Sequence, residues 1–319
     1  MDEGKEKERR MEEVQEQMTA KRILYRKKDS SWFGSDYNVN LYQGCPHGCI
    51  YCDSRSECYG VEHFSQVRAK RDALDLLQKQ LASCRKGGMV ATGSMSDPYN
   101  PLEEKQRLTR GMLTLLLRYS FGVSIATKSS LVERDIDLLE QIKGYAPALV
   151  KLTITTPHDR LAEQLEPHAP SSSRRLQTLE RLRGVLLMPV LPFLEDNPKD
   201  IRLLVERCAQ AGAKFIYPYF GVTLRDRQRE YFLECLEKSR PDVRKKYLVL
   251  GEQYDNRCPN EKELWQGVVR NAKSTASCGG WSRSSQLLKS RIKTNSFAFF
   301  GSKTGRTHPM RPPCFFQNR

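Results

Sequence analysis

The chain has 319 residues, a length that one barrel-type domain with appendages can take up. Its 39% hydrophobic fraction suffices for a core, whereas 29% charged residues, and no apolar run near the roughly 18 residues that span a bilayer, exclude a membrane-spanning protein. The net charge of +15 is concentrated at one end: Gly267 to Arg319 holds ten Lys and Arg and no Asp or Glu, so the body carries only +5 and offers weak support for nucleic-acid binding. The opening MDEGKEKERRMEEVQEQM interleaves acids and bases without the apolar stretch of a secretory signal, so a cytoplasmic location is expected.

In chain order, residues 1–28 read as a charged extension, either a solvated helix or disordered. Residues 29–238 form the core. There, β-type runs (39–44, 89–93, 123–127, 149–155, 185–191 and 215–220) alternate with amphipathic stretches (64–84, 102–119, 132–143, 173–182, 199–211 and 224–238). Leu74, Leu76, Leu77 and Leu81 show helical apolar spacing, as do Ile136, Leu138, Leu139 and Ile142. Six βα units predict an α/β fold, an open partial (β/α)6 barrel of TIM type, with its chemistry at the C-terminal strand ends. Residues 239–266 are mixed polar and aromatic, and are expected to pack on the barrel. Residues 267–319, rich in Ser, Thr and Arg, read as a disordered basic tail.

Ten cysteines in a cytosolic chain direct attention to metal or catalysis rather than disulfides. Cys45, Cys49 and Cys52 stand in a C-x3-C-x2-C arrangement after the first strand, in YQGCPHGCIYCDSRSEC. Thiolates at such spacing suit an iron–sulfur cluster or zinc. Three ligands rather than four leave an open coordination position, the mark of a metal that does chemistry. Gly44 and Gly48 let the loop fold tightly. The alternatives are a zinc site completed by Cys58 or His47, or ordinary buried thiols.

Five segments in order, NLYQGCPHGCIYCDSRSECYG, TGSMSDPYNPLE, ATKSSLVERDIDLL, LEPHAPSSSRRL and MPVLPFLEDN, resemble the spore-photoproduct-lyase-like branch of the radical S-adenosylmethionine (SAM) superfamily. The resemblance implies a [4Fe–4S] cluster on Cys45, Cys49 and Cys52 and reductive cleavage of SAM to a 5′-deoxyadenosyl radical. It implies an enzyme of lyase or oxidoreductase type, with a low-potential electron donor of flavodoxin or ferredoxin type. By the same resemblance Tyr51 lies near the adenine, Gly93, Ser94 and Ser96 meet the methionyl amino group, and Lys128 pairs with the SAM carboxylate. Arg175 would make a second carboxylate contact, with Arg174 as its rival. Asp97, Tyr99 and Glu103 are the substrate-side candidates, Asp97 having an Asx-type turn as its alternative role. Arg134 and Asp135 read as helix bracing.

Three departures qualify the resemblance. The lyase that names the branch returns hydrogen from a cysteine where this chain has Ser94, whose O–H bond is too strong to serve. LQTLERLR runs directly into GVLLMPVLPF, although helix-to-strand loops need about 2–6 residues, so the helix must end early or the strand start late. The tail after Trp265 lacks the family's usual ending and has the composition that out-of-frame translation would give. Two other readings stay open: a non-catalytic iron–sulfur or zinc protein, and a nucleic-acid lesion repair lyase.

Overall fold

The computed structural model describes residues 17–28, 33–274 and 298–299. Six strands lie parallel and in chain order across one sheet: β1 (Tyr37–Val39), β2 (Met89–Thr92), β3 (Gly122–Thr127), β4 (Ala148–Thr153), β5 (Gly184–Leu187) and β6 (Phe215–Pro218). This is the expected open (β/α)6 barrel, with β1 and β6 at its two ends. Leu24–Arg26 pairs antiparallel with β1, and Ala298–Phe299 pairs antiparallel with β6. The charged extension expected over residues 1–28 therefore gives up its last part to the sheet, because buried Ile23 and Leu24 provide an apolar anchor.

Alternation along the strands sorts side chains between two layers. Val90, Val123, Ile125, Leu152, Val185 and Ile216 face outward into the main core. They meet helices α1 (Ala73–Ala82), α2 (Leu108–Arg118), α3 (Ile136–Lys143), α5 (Ser172–Leu179) and α6 (Pro198–Gln210), whereas α4 (Asp159–Leu165) packs through Leu161 and Leu165 in a second cluster with Cys49, Ile50 and Tyr51. Met89, Leu149, Leu186 and Phe215 form a separate inner cluster with Phe33. Within this inner layer Lys151 is fully buried: its Nζ donates to Ser124 Oγ (2.6 Å) and lies 3.9 Å from the Phe33 ring centre. Burial holds its pKa well below the usual lysine range.

Several elements depart from the periodicity: β1 and β5 end earlier than the runs expected over 39–44 and 185–191, and the helices differ too. The first helix starts at Ala73 rather than 64, because Arg68–Lys70 is drawn into pairing with Tyr42–Gln43 and Gln17–Met18. The helix expected over 102–119 breaks at Arg107 (φ +50°), separating a short turn at Glu103–Gln106 from α2. Glu103 then caps α2 by accepting from the Thr109 and Arg110 amides (2.9 and 3.3 Å). The short helix α4 has no counterpart in the sequence reading. The run-on before β5 is resolved by α5 ending at Leu179, which leaves residues 180–183 as the link.

After β6 come β7 (Gly221–Thr223), α7 (Asp226–Ser239), α8 (Pro241–Val249), β8 (Asp255–Arg257) and α9 (Glu261–Ser274). Strands β7 and β8 pair antiparallel. Helix α9 continues through the tail boundary expected at 267, with Leu264 and Val268 buried in the main core and Trp265 edge-on to Phe220 (5.7 Å). Apart from Ala298–Phe299, which pair with β6, the basic tail beyond Ser274, its suspected frame and the first sixteen residues lie outside the described residues. Among the described residues no helix is long and apolar enough to cross a membrane.

Because Leu264 has no exposed surface, Leu264→Ala is expected to lower unfolding free energy by about 2–5 kcal/mol. Exposed Lys262→Ala is expected to change it by less than about 0.5 kcal/mol. Urea midpoints of the two variants check the difference.

Candidate functional site

The site is built on loops at the C-terminal ends of β1 to β5. Beyond β1, Tyr42–Gln43 leads into the cysteine loop, and Gly44 sits where only glycine fits. Its φ is +77°, and a Cβ there would come within 2.2 Å of the Gln66 carbonyl oxygen. The Cys45 amide donates to the Phe64 carbonyl (2.7 Å). Cys45, Cys49 and Cys52 are free thiols, Cys49 buried and the other two partly exposed. Burial raises all three pKa values: Cys45 to about 12, helped by Asp97, and Cys49 and Cys52 against the opposing pull of Lys128. A soft metal cluster would displace those protons.

The loop is gripped from the other side by the segment following α4. The Ile50 amide donates to the Leu165 carbonyl (3.0 Å) and the His168 amide to the His47 carbonyl (3.0 Å), while Gly48 abuts Pro167. His47 is buried, its Nδ1 3.6 Å from Asp97 Oδ2, with burial lowering its pKa. Cys58 is exposed, with its Sγ 3.3 Å from Ser56 Oγ. Among the described residues no three His, Cys, Asp or Glu side chains are gathered to share one metal ion. Three free thiols on one loop, each available to a different metal atom, fit a cluster with three protein ligands.

Beside the thiols stands Glu166, a buried carboxylate that the sequence reading passed over although it lies in LEPHAPSSSRRL. Tyr51 Oη donates to its Oε1, Arg175 Nη2 donates to its Oε2, and Lys128 Nζ lies 3.8 Å from Oε1. Burial alone would raise the Glu166 pKa, but the two cations and the Tyr51 hydroxyl bring it below the ordinary value. Lys128 is also largely buried, yet Cys49 and Glu166 raise its pKa, so it stays cationic. Its ammonium sits 5.6 Å from the Tyr51 ring centre.

Arg175 does not offer itself to a cofactor carboxylate. It is 1% exposed, and its guanidinium is spent on Glu166, the Thr153 carbonyl (2.9 Å) and the Pro170 carbonyl (2.7 Å). Arg174 turns outward to Glu133 (2.9 Å). The family-like arginine is therefore a brace under Glu166, which needs a second cation because Lys128 approaches only one of its oxygens.

The substrate-side candidates also divide. Asp97 Oδ1 accepts from Thr127 Oγ1 (2.6 Å) and the Tyr99 amide (2.9 Å), and its Oδ2 accepts from the Lys128 amide (2.8 Å). It is the Asx-turn residue of its alternative reading, and it fixes the end of β3 where Lys128 emerges. Tyr99 and Glu103 are fully buried beneath the site. Glu103 takes hydrogen bonds from Tyr42 (2.5 Å) and Arg134 (2.6 Å), so Arg134 and Asp135 brace as expected, and neither Tyr99 nor Glu103 can meet a substrate. Their packing follows from the turn at 97–102, which carries both back under α2.

Gly93 (φ +100°) ends β2 so close to β3 that a Cβ would meet the Ala126 carbonyl oxygen at 2.4 Å. Ser94 Oγ accepts from Asn38 Nδ2 and donates to Asn40 Oδ1 (both 3.1 Å). Ser96 lines a narrow crevice with Asn40, Thr92 and Pro98.

The framework is that of an α/β enzyme with a three-thiol loop after the first strand and a buried cation ending the third. Residues 39–208 match the Radical SAM superfamily, and the chain belongs to it. Its cofactors are the superfamily's [4Fe–4S] cluster and SAM. The chain is 29% identical over 242 residues to an uncharacterised protein of Mycobacterium tuberculosis, covering 72% of this chain and 71% of the relative. It is 34% identical over 173 residues to an uncharacterised protein of Methanocaldococcus jannaschii, covering 51% and 63%. Among solved structures, a spore photoproduct lyase variant superposes with a TM-score of 0.58 at 17% identity, covering 81% of this chain and 78% of that one. The lyase complexed with dinucleoside spore photoproduct gives 0.57 at 16%, covering 82% and 80%. The fold is that of the lyase.

Glu195, also missed, is buried near Glu166 and Tyr51, and accepts from the Leu191 amide (3.0 Å). Burial, with Glu166 adding, lifts its pKa from 4.5 to about 8. The folded protein thus keeps a proton that the unfolded chain releases, so this group's contribution to stability is fully present at low pH and lost as pH rises toward 8. Glu195→Gln, which mimics the protonated acid, is expected to stabilise the apoprotein at about pH 9 and to change little at about pH 4.5. Equal urea-midpoint shifts at both pH values would contradict this.

Proposed function

We propose that Cys45, Cys49 and Cys52 hold the three protein-ligated irons of the cluster, and that the protein cleaves SAM reductively to start radical chemistry on a further substrate. The observation that carries the reading is the position of three free thiols on a loop pinned beside the buried Lys128, Glu166 and Tyr51. When bound, the cluster and SAM supply one-electron cleavage of a sulfonium C–S bond, yielding methionine and a 5′-deoxyadenosyl radical.

The protein's own residues bind, orient and exclude water. Lys128 is the cation for the SAM carboxylate; Glu166 and the Asp97 contact to its amide hold it in place. Tyr51, fixed through its hydroxyl by Glu166, presents its ring toward the adenine. Gly93, Ser94 and Ser96, at the end of β2, are the residues for the methionyl amino group. A low-potential flavodoxin or ferredoxin would supply the electron. The Ser94 hydroxyl donates to Asn40, and its O–H bond is too strong to yield a hydrogen atom to a carbon radical, so the reading excludes the thiol-based return step of the lyase.

Anaerobic reconstitution with iron and sulfide, then reduction in the presence of SAM, tests this. Wild type is expected to release 5′-deoxyadenosine, and Cys49→Ala to fall to background. Lys128→Met is expected to raise the KM for SAM about tenfold or more, the loss of one hydrogen bond between charged groups. A colourless protein that holds stoichiometric zinc and forms no 5′-deoxyadenosine would overturn the proposal.

A further inference from the structure

Helix α7 follows β6 and β7, and β6 is at the opposite end of the parallel strands from β1. Its first turn nevertheless reaches the chain on either side of Cys52, between Tyr51 and Val61, and four consecutive residues each bond to it. Arg225 Nη2 donates to both Asp53 oxygens (3.0 and 2.9 Å). Asp226 Oδ1 accepts from the Glu57 amide (3.1 Å). Arg227 donates to the carbonyls of Arg55 (2.8 Å) and Val61 (2.9 Å).

Gln228 has no exposed surface and spends its whole amide. Its Nε2 donates to the Tyr51 carbonyl (3.0 Å), the peptide joining Tyr51 to Cys52, and to the Thr223 carbonyl (3.1 Å). Its Oε1 accepts from the Arg225 amide (2.9 Å). One turn further along, Tyr231 lies 4.1 Å from the Arg55 guanidinium, which also stacks near Phe64 at 5.0 Å. Asp226 holds a φ of +38°, a conformation that non-glycine residues keep only where the surroundings over-determine it.

We propose that Arg225 to Gln228 form a clamp that positions the Cys52 arm of the cysteine loop, with Gln228 as its centre. The proposal rests on the assignment of Cys52 as an iron ligand. An open barrel has no strand pairing between β6 and β1; the clamp bridges that gap through side chains and ties the loop to both ends of the sheet. Cluster retention and closure of the barrel are then linked. Whatever fixes the Cys52 arm holds the cluster, and a bound cluster holds α7 against the loop.

The test uses the full chain, reconstituted anaerobically, and measures iron release to a chelator. Gln228→Leu removes the amide at similar volume and is expected to release iron about tenfold faster than wild type, as loss of a buried hydrogen bond predicts. Thermal melts of the apoprotein establish whether the variant folds. Where it does not, Arg225→Lys carries the test: it keeps the charge but loses the two-point contact with Asp53, and a several-fold faster release is expected. Gln228→Glu, which keeps the shape but turns a donor into an acceptor facing the Tyr51 carbonyl, is expected to match Gln228→Leu. Wild-type release rates in folded variants would overturn the clamp alone. A wild-type protein that takes up no iron would overturn the ligand assignment, and the clamp with it.

Discussion

Glu166 is a carboxylate with 1% of its surface exposed, and a charge in that position must be answered by nearby cations and hydrogen bonds or give up its ionisation. The answer comes from three parts of the chain: the hydroxyl of Tyr51 in the cysteine loop, Lys128 at the end of β3, and Arg175 on α5. Satisfying that one charge therefore aligns the loops that follow β1, β3 and β4. The same bonds set the side-chain positions the site needs, with the Tyr51 ring and the Lys128 ammonium facing each other next to Cys49.

A second carboxylate does comparable work on the other side. Asp97 links the turn after β2 to the Thr127–Lys128 backbone and lies beside His47 and Cys45. The cysteine loop is therefore held by Glu166 and the segment after α4 on one flank, by Asp97 below, and by α7 across the barrel opening. Fixing the loop this thoroughly reduces the ordering left for a cluster to impose. The raised thiol pKa values show what remains: three protons to displace, at a site where Lys128 already favours negative charge.

The likeness to spore photoproduct lyase at 17% identity concerns the framework, since a fold hosts many reactions and function resides in the site placed on it. Here Ser94 is a hydrogen-bonded link between Asn38 and Asn40, part of the rim where β1 and β2 end. That role differs in kind from hydrogen-atom donation.

Much of this was readable along the chain. Strand and helix periodicity specify six βα units, because burial on both faces of a parallel sheet and on one face of a helix leaves a local pattern. Short thiol spacing specifies the cysteine loop, since its three thiols come from a single segment. What the chain could not reveal by itself depends on partners distant in sequence. Glu103 and Tyr99 look like site residues in SDPYNPLE until the turn carries them under α2, and Arg175 looks free until Glu166 claims it. Gln228 and Tyr51 are 177 residues apart, and no periodicity relates them. Buried charges and amides are satisfied only by whatever the fold brings alongside, so the tertiary structure alone decided which polar residues brace the site and which remain to act.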